Sequence, residues 1–163
     1  MHRCLIVVDY QQEFVAGRHG FPGAKGIDRA IAGKILACRE AGDDVLFTLD
    51  AAGGSRLYGT VGACLRSTDR VFRKASYGSN ALYVYLRRTA YQSIEVAGVV
   101  SSVCVLVNAV LARTAQPDTP VVVDTACIAD PDAEAQTAAL RLMAGLKMHI
   151  LDGGVERQPP RLP

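Results

Sequence analysis

The chain has 163 residues, half of them hydrophobic and 21% charged, which is enough to form one domain with a buried core. Its 18 Lys and Arg residues nearly balance 16 Asp and Glu residues, so the net charge of +2 gives no electrostatic argument for nucleic-acid binding. The five cysteines are widely separated and form no CxxC pair, which argues against a disulfide framework and against a zinc ribbon. We expect reduced thiols and a cytoplasmic location.

The amino-terminal apolar run ends at Asp9 and is too short for the core of a signal peptide. The longest uncharged run, residues 96–112, has 17 residues and contains Gly98, Ser101, Ser102 and Asn108. A membrane helix needs about 20 predominantly apolar residues. We therefore expect a soluble protein with no membrane partner.

Six short runs rich in β-branched residues alternate with stretches of helical periodicity. The runs are apolar on both faces, as in a covered parallel sheet, and comprise residues 5–8, 45–48, 71–72, 93–97, 121–123 and 149–151. Helices are predicted over residues 27–41, 80–88, 103–113 and 132–146, the last with Asp130 as N-cap and Pro131 as its first residue. This alternation predicts a three-layer α/β/α domain over residues 1–152, with a doubly wound, mostly parallel, six-stranded sheet.

Two segments depart from this alternation. Residues 51–68 are rich in glycine and weakly periodic, which predicts a loop with room for one helical turn. Residues 153–163 contain three prolines and are predicted to form a flexible tail.

Ligands of open α/β sheets bind outside the carboxyl ends of the strands. The residues that follow the predicted strands are Asp9, Asp50, Lys74, the segment 98–104 and Asp124. Cys104 would lie in the first turn of a helix, where the helix dipole and Lys74 would favour a thiolate and Asp9 could accept its proton. Taken alone, such a cysteine is more often an inert core residue. Asp124 could cap a turn or line the rim of the site.

Three segments in this order resemble the isochorismatase-like cysteine hydrolases, which include nicotinamidases and N-carbamoylsarcosine amidases. LIVVDYQQEF at 5–14 resembles the end of the family's first strand, and KASYGSN at 74–80 resembles the segment that carries its lysine. GVVSSVCV at 98–105 resembles its nucleophile segment, with Ser102 where the family usually has Asp. VVVDTAC at 121–127 is similar to its fifth strand.

The resemblance implies a catalytic triad of Asp9, Lys74 and Cys104. It also implies a cis peptide bond between Val99 and Val100. The backbone N–H groups of Val100 and Cys104 would then form an oxyanion hole. A homo-oligomer that acts on a small-molecule substrate is expected on the same basis.

The segment after the second strand departs from the nicotinamidase pattern. Nicotinamidases carry metal-binding histidines here, whereas this chain reads DAAGGS at 50–55 and has no histidine between residues 20 and 148. One carboxylate does not complete a metal site, so we expect no metal and no cofactor. Phe14, Asp50 and Tyr77 are candidate pocket residues. The segment from Asp50 to Lys74 is also shorter than in most relatives, which would open the pocket.

These patterns predict a metal-independent cysteine hydrolase that cleaves a small amide, or a related C–N bond, through a thioester intermediate. Two alternatives remain open. One is vinyl-ether hydrolysis of the isochorismatase type, which the retained cysteine disfavours. The other is a non-catalytic binding or assembly module, which the short 50–74 segment and Ser102 would suit.

Overall fold

The computed structural model describes residues 2–157, and the central strands of its sheet are largely buried. The strands are β1 Cys4–Val8, β2 Asp44–Asp50, β3 Arg70–Lys74, β4 Ile94–Val99, β5 Val121–Asp124, β6 Ile128–Ala129, β7 His149–Asp152 and β8 Val155–Glu156. The helices are α1 Gln12–Val15, α2 Pro22–Gly26, α3 Asp28–Glu40, α4 Gly59–Cys64, α5 Asn80–Leu86, α6 Leu106–Ala115 and α7 Ala133–Gly145. None of these helices is both long and apolar enough to cross a membrane.

The sheet has the strand order β3-β2-β1-β4-β5-β7-β8, and the short β6 pairs with β4. Every pairing is parallel except that of β7 with β8. This order places the carboxyl ends of β1, β2, β3 and β4 side by side along one edge. The predicted α/β class and the mostly parallel sheet are thus confirmed, with two short strands added to the six expected.

Helices cover both faces of the sheet, and alternate residues of each strand point to opposite layers. In β1, Ile6 and Val8 pack into the layer formed by α5, α6 and α7. Leu5 and Val7 pack into the layer formed by α1 to α4. All four side chains are fully buried, which explains why the sequence of β1 is apolar without alternation.

The amino-terminal end of α7 differs from the prediction. Asp132, rather than Asp130, is the N-cap, and its carboxylate accepts hydrogen bonds from the backbone N–H groups of Glu134 and Ala135. Asp130 instead accepts hydrogen bonds from the N–H groups of Ser102 and Asp132. The two aspartates lie one residue either side of Pro131, so the sequence allowed both registers.

Two other segments are more ordered than the sequence suggests. Residues 51–68 contain a 3₁₀ turn, Ala51–Gly53, and the helix α4. The predicted tail begins at Gly153, but β8 lies within it and pairs antiparallel with β7. Gly153 and Gly154 both have positive φ, of 60° and 87°, which forms the tight turn between these strands. The rest of the predicted tail, residues 158–163, lies outside the described residues.

Candidate active site

Four strand ends bring the predicted catalytic residues to one edge of the sheet. Asp9 directly follows β1, Asp50 ends β2 and Lys74 ends β3, with Asp50 and Lys74 opposite each other in register. Cys104 lies beyond β4, the other neighbour of β1, in a π-helical turn, Ser101–Val105. The sheet order therefore places a lysine, two carboxylates and a thiol together from four separate parts of the chain.

Lys74 is the centre of this cluster. Its Nζ atom lies 2.6 Å from Asp9 Oδ2 and 3.0 Å from Asp50 Oδ2, and it donates a hydrogen bond of 2.9 Å to the Ser76 carbonyl oxygen. Cys104 Sγ lies 3.7 Å from the same nitrogen. The ammonium thus contacts three oxygen atoms and the thiol, so it links both carboxylates of the site to the sulfur.

The ion pair of Asp9 and Lys74 is almost completely removed from solvent, with side-chain exposures of 1% and 2%. Burial alone lowers the pKa of a lysine, but the hydrogen bond and the charge of Asp9 outweigh this effect, and the pKa of Lys74 is raised. Lys74 therefore stays protonated and cannot act as the base. The carboxylate of Asp9 is the group available to accept a proton.

The surroundings of the Cys104 thiol disfavour its ionised form, whereas the sequence predicted that a thiolate would be favoured. Burial is the main cause and the charge of Asp9 adds to it, while Lys74 lowers the pKa only in part, so the pKa of Cys104 is raised to about 12. The prediction considered the helix end and the lysine, but it did not include the desolvation of the thiol or the effect of the second carboxylate, Asp50, on its pKa.

Asp9 is held by the backbone and by the neighbouring strand. Its φ of 47° lies in the left-handed region, which residues other than glycine seldom adopt and which recurs at functional sites. Thr48, fully buried in β2, donates its hydroxyl hydrogen to Asp9 Oδ1 at 2.7 Å. Sequence reasoning missed Thr48 as a site residue because it lies inside an apolar strand. A lone hydroxyl two residues before Asp50 was the available signal.

The turn that carries Cys104 begins at a cis peptide bond between Val99 and Val100. Two side chains from the α7 region hold the turn. Asp130 Oδ2 accepts a hydrogen bond of 2.8 Å from the Ser102 N–H, and Ser101 Oγ contacts Gln136 Oε1 at 3.2 Å. The turn is thus fixed from the neighbouring helix as well as from β4.

Asp50 and Phe14 adjoin the cluster through Gln11, a buried residue that the sequence did not single out. The Gln11 side-chain amide donates a hydrogen bond of 2.9 Å to the Asp50 carbonyl oxygen and accepts one of 2.8 Å from the Asp50 N–H. These two bonds fix the position of the Asp50 backbone. Phe14 packs with Gln11 over Gly53, which leaves no space there for a side chain. Tyr77 lies on the loop after β3, and its side chain is 63% exposed.

Asp124 belongs to a different cluster. Its carboxylate accepts hydrogen bonds from the N–H groups of Ala126, Gly153 and Gly154, and it forms an ion pair with Lys34 at 3.1 Å. Lys34 in turn contacts Glu95 at 2.7 Å. Asp124 thus caps a turn and holds the β7–β8 turn. Of its two predicted roles, turn capping and lining the rim of the site, the structure shows the first.

The residues near Asp50 do not fit a metal centre of the nicotinamidase type. Asp50 Oδ2 contacts Lys74, and Asp50 Oδ1 accepts a hydrogen bond from the Ala52 N–H at 2.8 Å, so both carboxylate oxygens already have partners. Within residues 2–157, no three His, Cys, Asp or Glu side chains converge in a way that could bind a metal ion. An ammonium within 3.0 Å of Asp50 would also repel a cation.

The family model described as the isochorismatase domain matches residues 3–153 of the chain. A nicotinamidase from Staphylococcus aureus has a similar structure, with 26% sequence identity and a TM-score of 0.80 over 92% of this chain and 99% of that one. A search of curated protein sequences finds no match.

Two further solved structures share the fold. A nicotinamidase from Bacillus subtilis is 22% identical, with a TM-score of 0.81 over 93% of this chain and 99% of that one. An N-carbamoylsarcosine amidase from Thermoplasma acidophilum is 19% identical, with a TM-score of 0.78 over 94% and 97% of the two chains.

Proposed function

The chain belongs to the isochorismatase family of hydrolases, and on this premise we propose that it hydrolyses a C–N bond of a small amide with Cys104 as the nucleophile. The observation that carries the proposal is the position of Lys74 Nζ, 2.6 Å from Asp9 Oδ2 and 3.7 Å from Cys104 Sγ. This geometry supports a nucleophile, a base and a fixed positive charge acting as one unit. The proposed substrate is a small molecule, and the homo-oligomer and the cytoplasmic location stay predictions.

The first half of the reaction forms a thioester. Because the thiol is neutral, its proton passes to the Asp9 carboxylate as Cys104 Sγ attacks the substrate carbonyl carbon. The N–H groups of Val100 and Cys104 would donate to the oxyanion of the tetrahedral intermediate. When the C–N bond breaks, Asp9 returns the proton to the departing nitrogen, and the acyl group remains on sulfur.

The second half regenerates the enzyme. Water attacks the thioester carbonyl carbon and Asp9 accepts a proton from it, so a second tetrahedral intermediate forms in the same oxyanion hole. Breakage of the C–S bond releases the carboxylic acid product, and the sulfur regains its proton from Asp9. Lys74 keeps its proton throughout and fixes the position of both reacting groups.

The proposal is tested by ammonia release from a panel of primary amides and N-carbamoyl compounds. The kcat/KM of the Cys104→Ser variant should be lower than that of the parent protein by about 1,000-fold or more, as expected when a nucleophile of a catalytic unit is removed. Cys64→Ser is the matched control, since Cys64 lies in α4, outside the cluster, and should retain full activity. Activity retained by Cys104→Ser would overturn the thioester mechanism. Cleavage of vinyl ethers but no amides would favour the alternative reaction.

A further inference from the structure

Asn108 is a fully buried amide on α6, four residues after Cys104. Its Nδ2 group donates hydrogen bonds to the carbonyl oxygen of Cys104 at 2.8 Å and to that of Tyr77 at 3.0 Å. Its Oδ1 atom accepts a hydrogen bond of 3.1 Å from the Ser79 N–H. Both amide hydrogens and the oxygen are therefore used, each by a backbone group.

These three bonds join two segments that are distant in the chain. One is the turn that carries the nucleophile. The other is the loop after β3, residues 75–79, whose Ser76 carbonyl oxygen accepts a hydrogen bond from Lys74 Nζ. The loop also lies directly against α6, because a Cβ atom at Gly78 would be 2.7 Å from Val107 Cγ1. The 75–79 loop is thus packed against α6, the helix that follows Cys104.

We propose that Asn108 is a positioning residue that sets the distance between Lys74 Nζ and Cys104 Sγ by tying the 75–79 loop to the nucleophile turn. This inference rests on the catalytic role proposed for Cys104 and Lys74. Asn108 acts on the reaction through these two residues. Without its amide, the loop would lose both bonds to the helix, and the Ser76 oxygen would no longer hold the ammonium beside the thiol.

The chain offers a matched control on the same helix. Gln116, the C-cap of α6, also bonds backbone groups of a neighbouring segment, donating to Leu86 and Thr89 carbonyl oxygens and accepting from the Tyr91 N–H. It lies eight residues beyond Asn108, about 12 Å along the helix at 1.5 Å per residue. Removing either amide leaves backbone groups without partners, but only Asn108 adjoins the cluster.

The test is the rate at which iodoacetamide alkylates Cys104 at pH 9, followed by peptide mass spectrometry so that the other four cysteines are scored separately. Lys74 lowers the pKa of the thiol, so a displaced ammonium reduces the thiolate fraction. Asn108→Ala should be alkylated about three- to tenfold more slowly, the equivalent of a pKa rise of half to one unit. Gln116→Ala should match the parent protein.

Asn108→Thr is the second variant, in case the alanine variant does not fold. A threonine can donate to the carbonyl oxygen four residues earlier, as Thr114 and Thr137 do on helices of this chain. It would keep the bond to Cys104 and lose both bonds to the loop. It should therefore show the same slower alkylation with a smaller loss of thermal stability than Asn108→Ala.

The role through Lys74 is tested by a double-mutant cycle, in which Asn108→Thr should have no further effect in a Lys74→Met background. An equal effect in both backgrounds, or equal slowing by the Asn108 and Gln116 variants, would overturn the proposal. The alkylation assay needs no substrate. Amidase activity retained by Cys104→Ser would therefore count against the proposed function, whereas unchanged alkylation of the Asn108 variants would count against the positioning role.

Discussion

At the scale of single residues, the site is defined by one ammonium between two carboxylates. Asp9 and Asp50 outnumber Lys74, so the cluster carries a net negative charge next to the sulfur. Both carboxylates raise the pKa of the thiol and Lys74 lowers it, with burial as the largest effect. The cluster and its burial together raise the pKa of the thiol, and in the proposed mechanism the attack is therefore coupled to proton transfer.

Removing the charges of Asp50 and Lys74 should change the alkylation of Cys104 in opposite directions. Asp50→Asn removes a negative charge, lowers the pKa of the thiol and should increase the alkylation rate about two- to fivefold at a fixed pH. Lys74→Met removes the opposing positive charge and should decrease it. For the parent protein, the rate should rise about tenfold per pH unit up to about pH 10, because the thiol remains mostly protonated below its pKa of about 12.

The pH dependence of alkylation can also contradict this account of the thiol. A titration midpoint at about pH 8.5 in the parent protein would mean that the thiol ionises as an ordinary cysteine, and the role given to burial would be wrong. Urea unfolding of each variant provides the control, since a slower rate in a partly unfolded protein would not report on charge.

The charged site residues were predictable because each follows a strand, where a parallel sheet gathers its ligand-binding groups. Thr48 and Asn108 were not, because each is polar within a stretch that the apolar pattern assigns to the core, and Gln11 was not, because it lies in a polar stretch beyond the first strand. Their partners are backbone or carboxylate groups from segments far along the chain. Only the folded arrangement identifies such pairs.

At the scale of secondary structure, β1 and β4 approach closely at Gly98. This residue has a φ of 121°, and a Cβ atom there would lie 2.1 Å from the Val8 carbonyl oxygen. Since β4 leads directly into the nucleophile turn, the missing side chain lets the turn pass beside Asp9. Glycine is therefore required at position 98 both because of its positive φ and because a side chain would collide with β1.

Gly98→Ala should therefore lower the free energy of unfolding by about 3 kcal/mol or more, the sum of backbone strain and displaced strands. Gly33→Ala is the matched control, because a Cβ there would meet no atom within 4 Å beyond the backbone of its own helix, and the residue is in the middle of α3. It should stabilise the protein by about 0.5–1 kcal/mol. Urea denaturation followed by circular dichroism measures both. Equal, small changes would show that the strands can separate at no cost.

Helix and strand positions were largely predictable from periodicity, whereas their ends were less so. The choice between Asp130 and Asp132 as N-cap depends on which carboxylate is needed elsewhere, and Asp130 binds the nucleophile turn. The sequence predicted no more than one helical turn where α4 lies, because residues 51–68 are rich in glycine. The amino-terminal N–H groups of α4, at Thr60 and Val61, donate to Asp28, which lies on α3.

At the scale of the whole molecule, the order of the strands decides what the site contains. Asp9 and Asp50 meet Lys74 because β1, β2 and β3 are neighbours, and none of these three strands contains a histidine. His149 lies at the start of β7 and contacts Glu156 at 2.7 Å. The sequence predicted the type of sheet, mostly parallel with helices on both faces, but it did not predict the order of the strands within that sheet.

Hydrolysis should survive removal of divalent metals. After dialysis against EDTA, the rate of ammonia release should stay within about twofold of the untreated protein, because Lys74 occupies the position next to Asp50 where a cation would bind. Added zinc or manganese should give no increase. Loss of activity in EDTA with recovery in zinc would contradict this reading of the 50–55 segment.

The position of β3 has a consequence for how the protein loses activity. β3 is at the margin of the sheet with a single neighbour, and three of its five residues are exposed. Local unfolding at such an edge costs less free energy than global unfolding. We therefore expect Lys74 to leave the cluster on heating before β1 and β4 separate. Gentle heating would produce a folded but inactive population, and cooling would restore its activity.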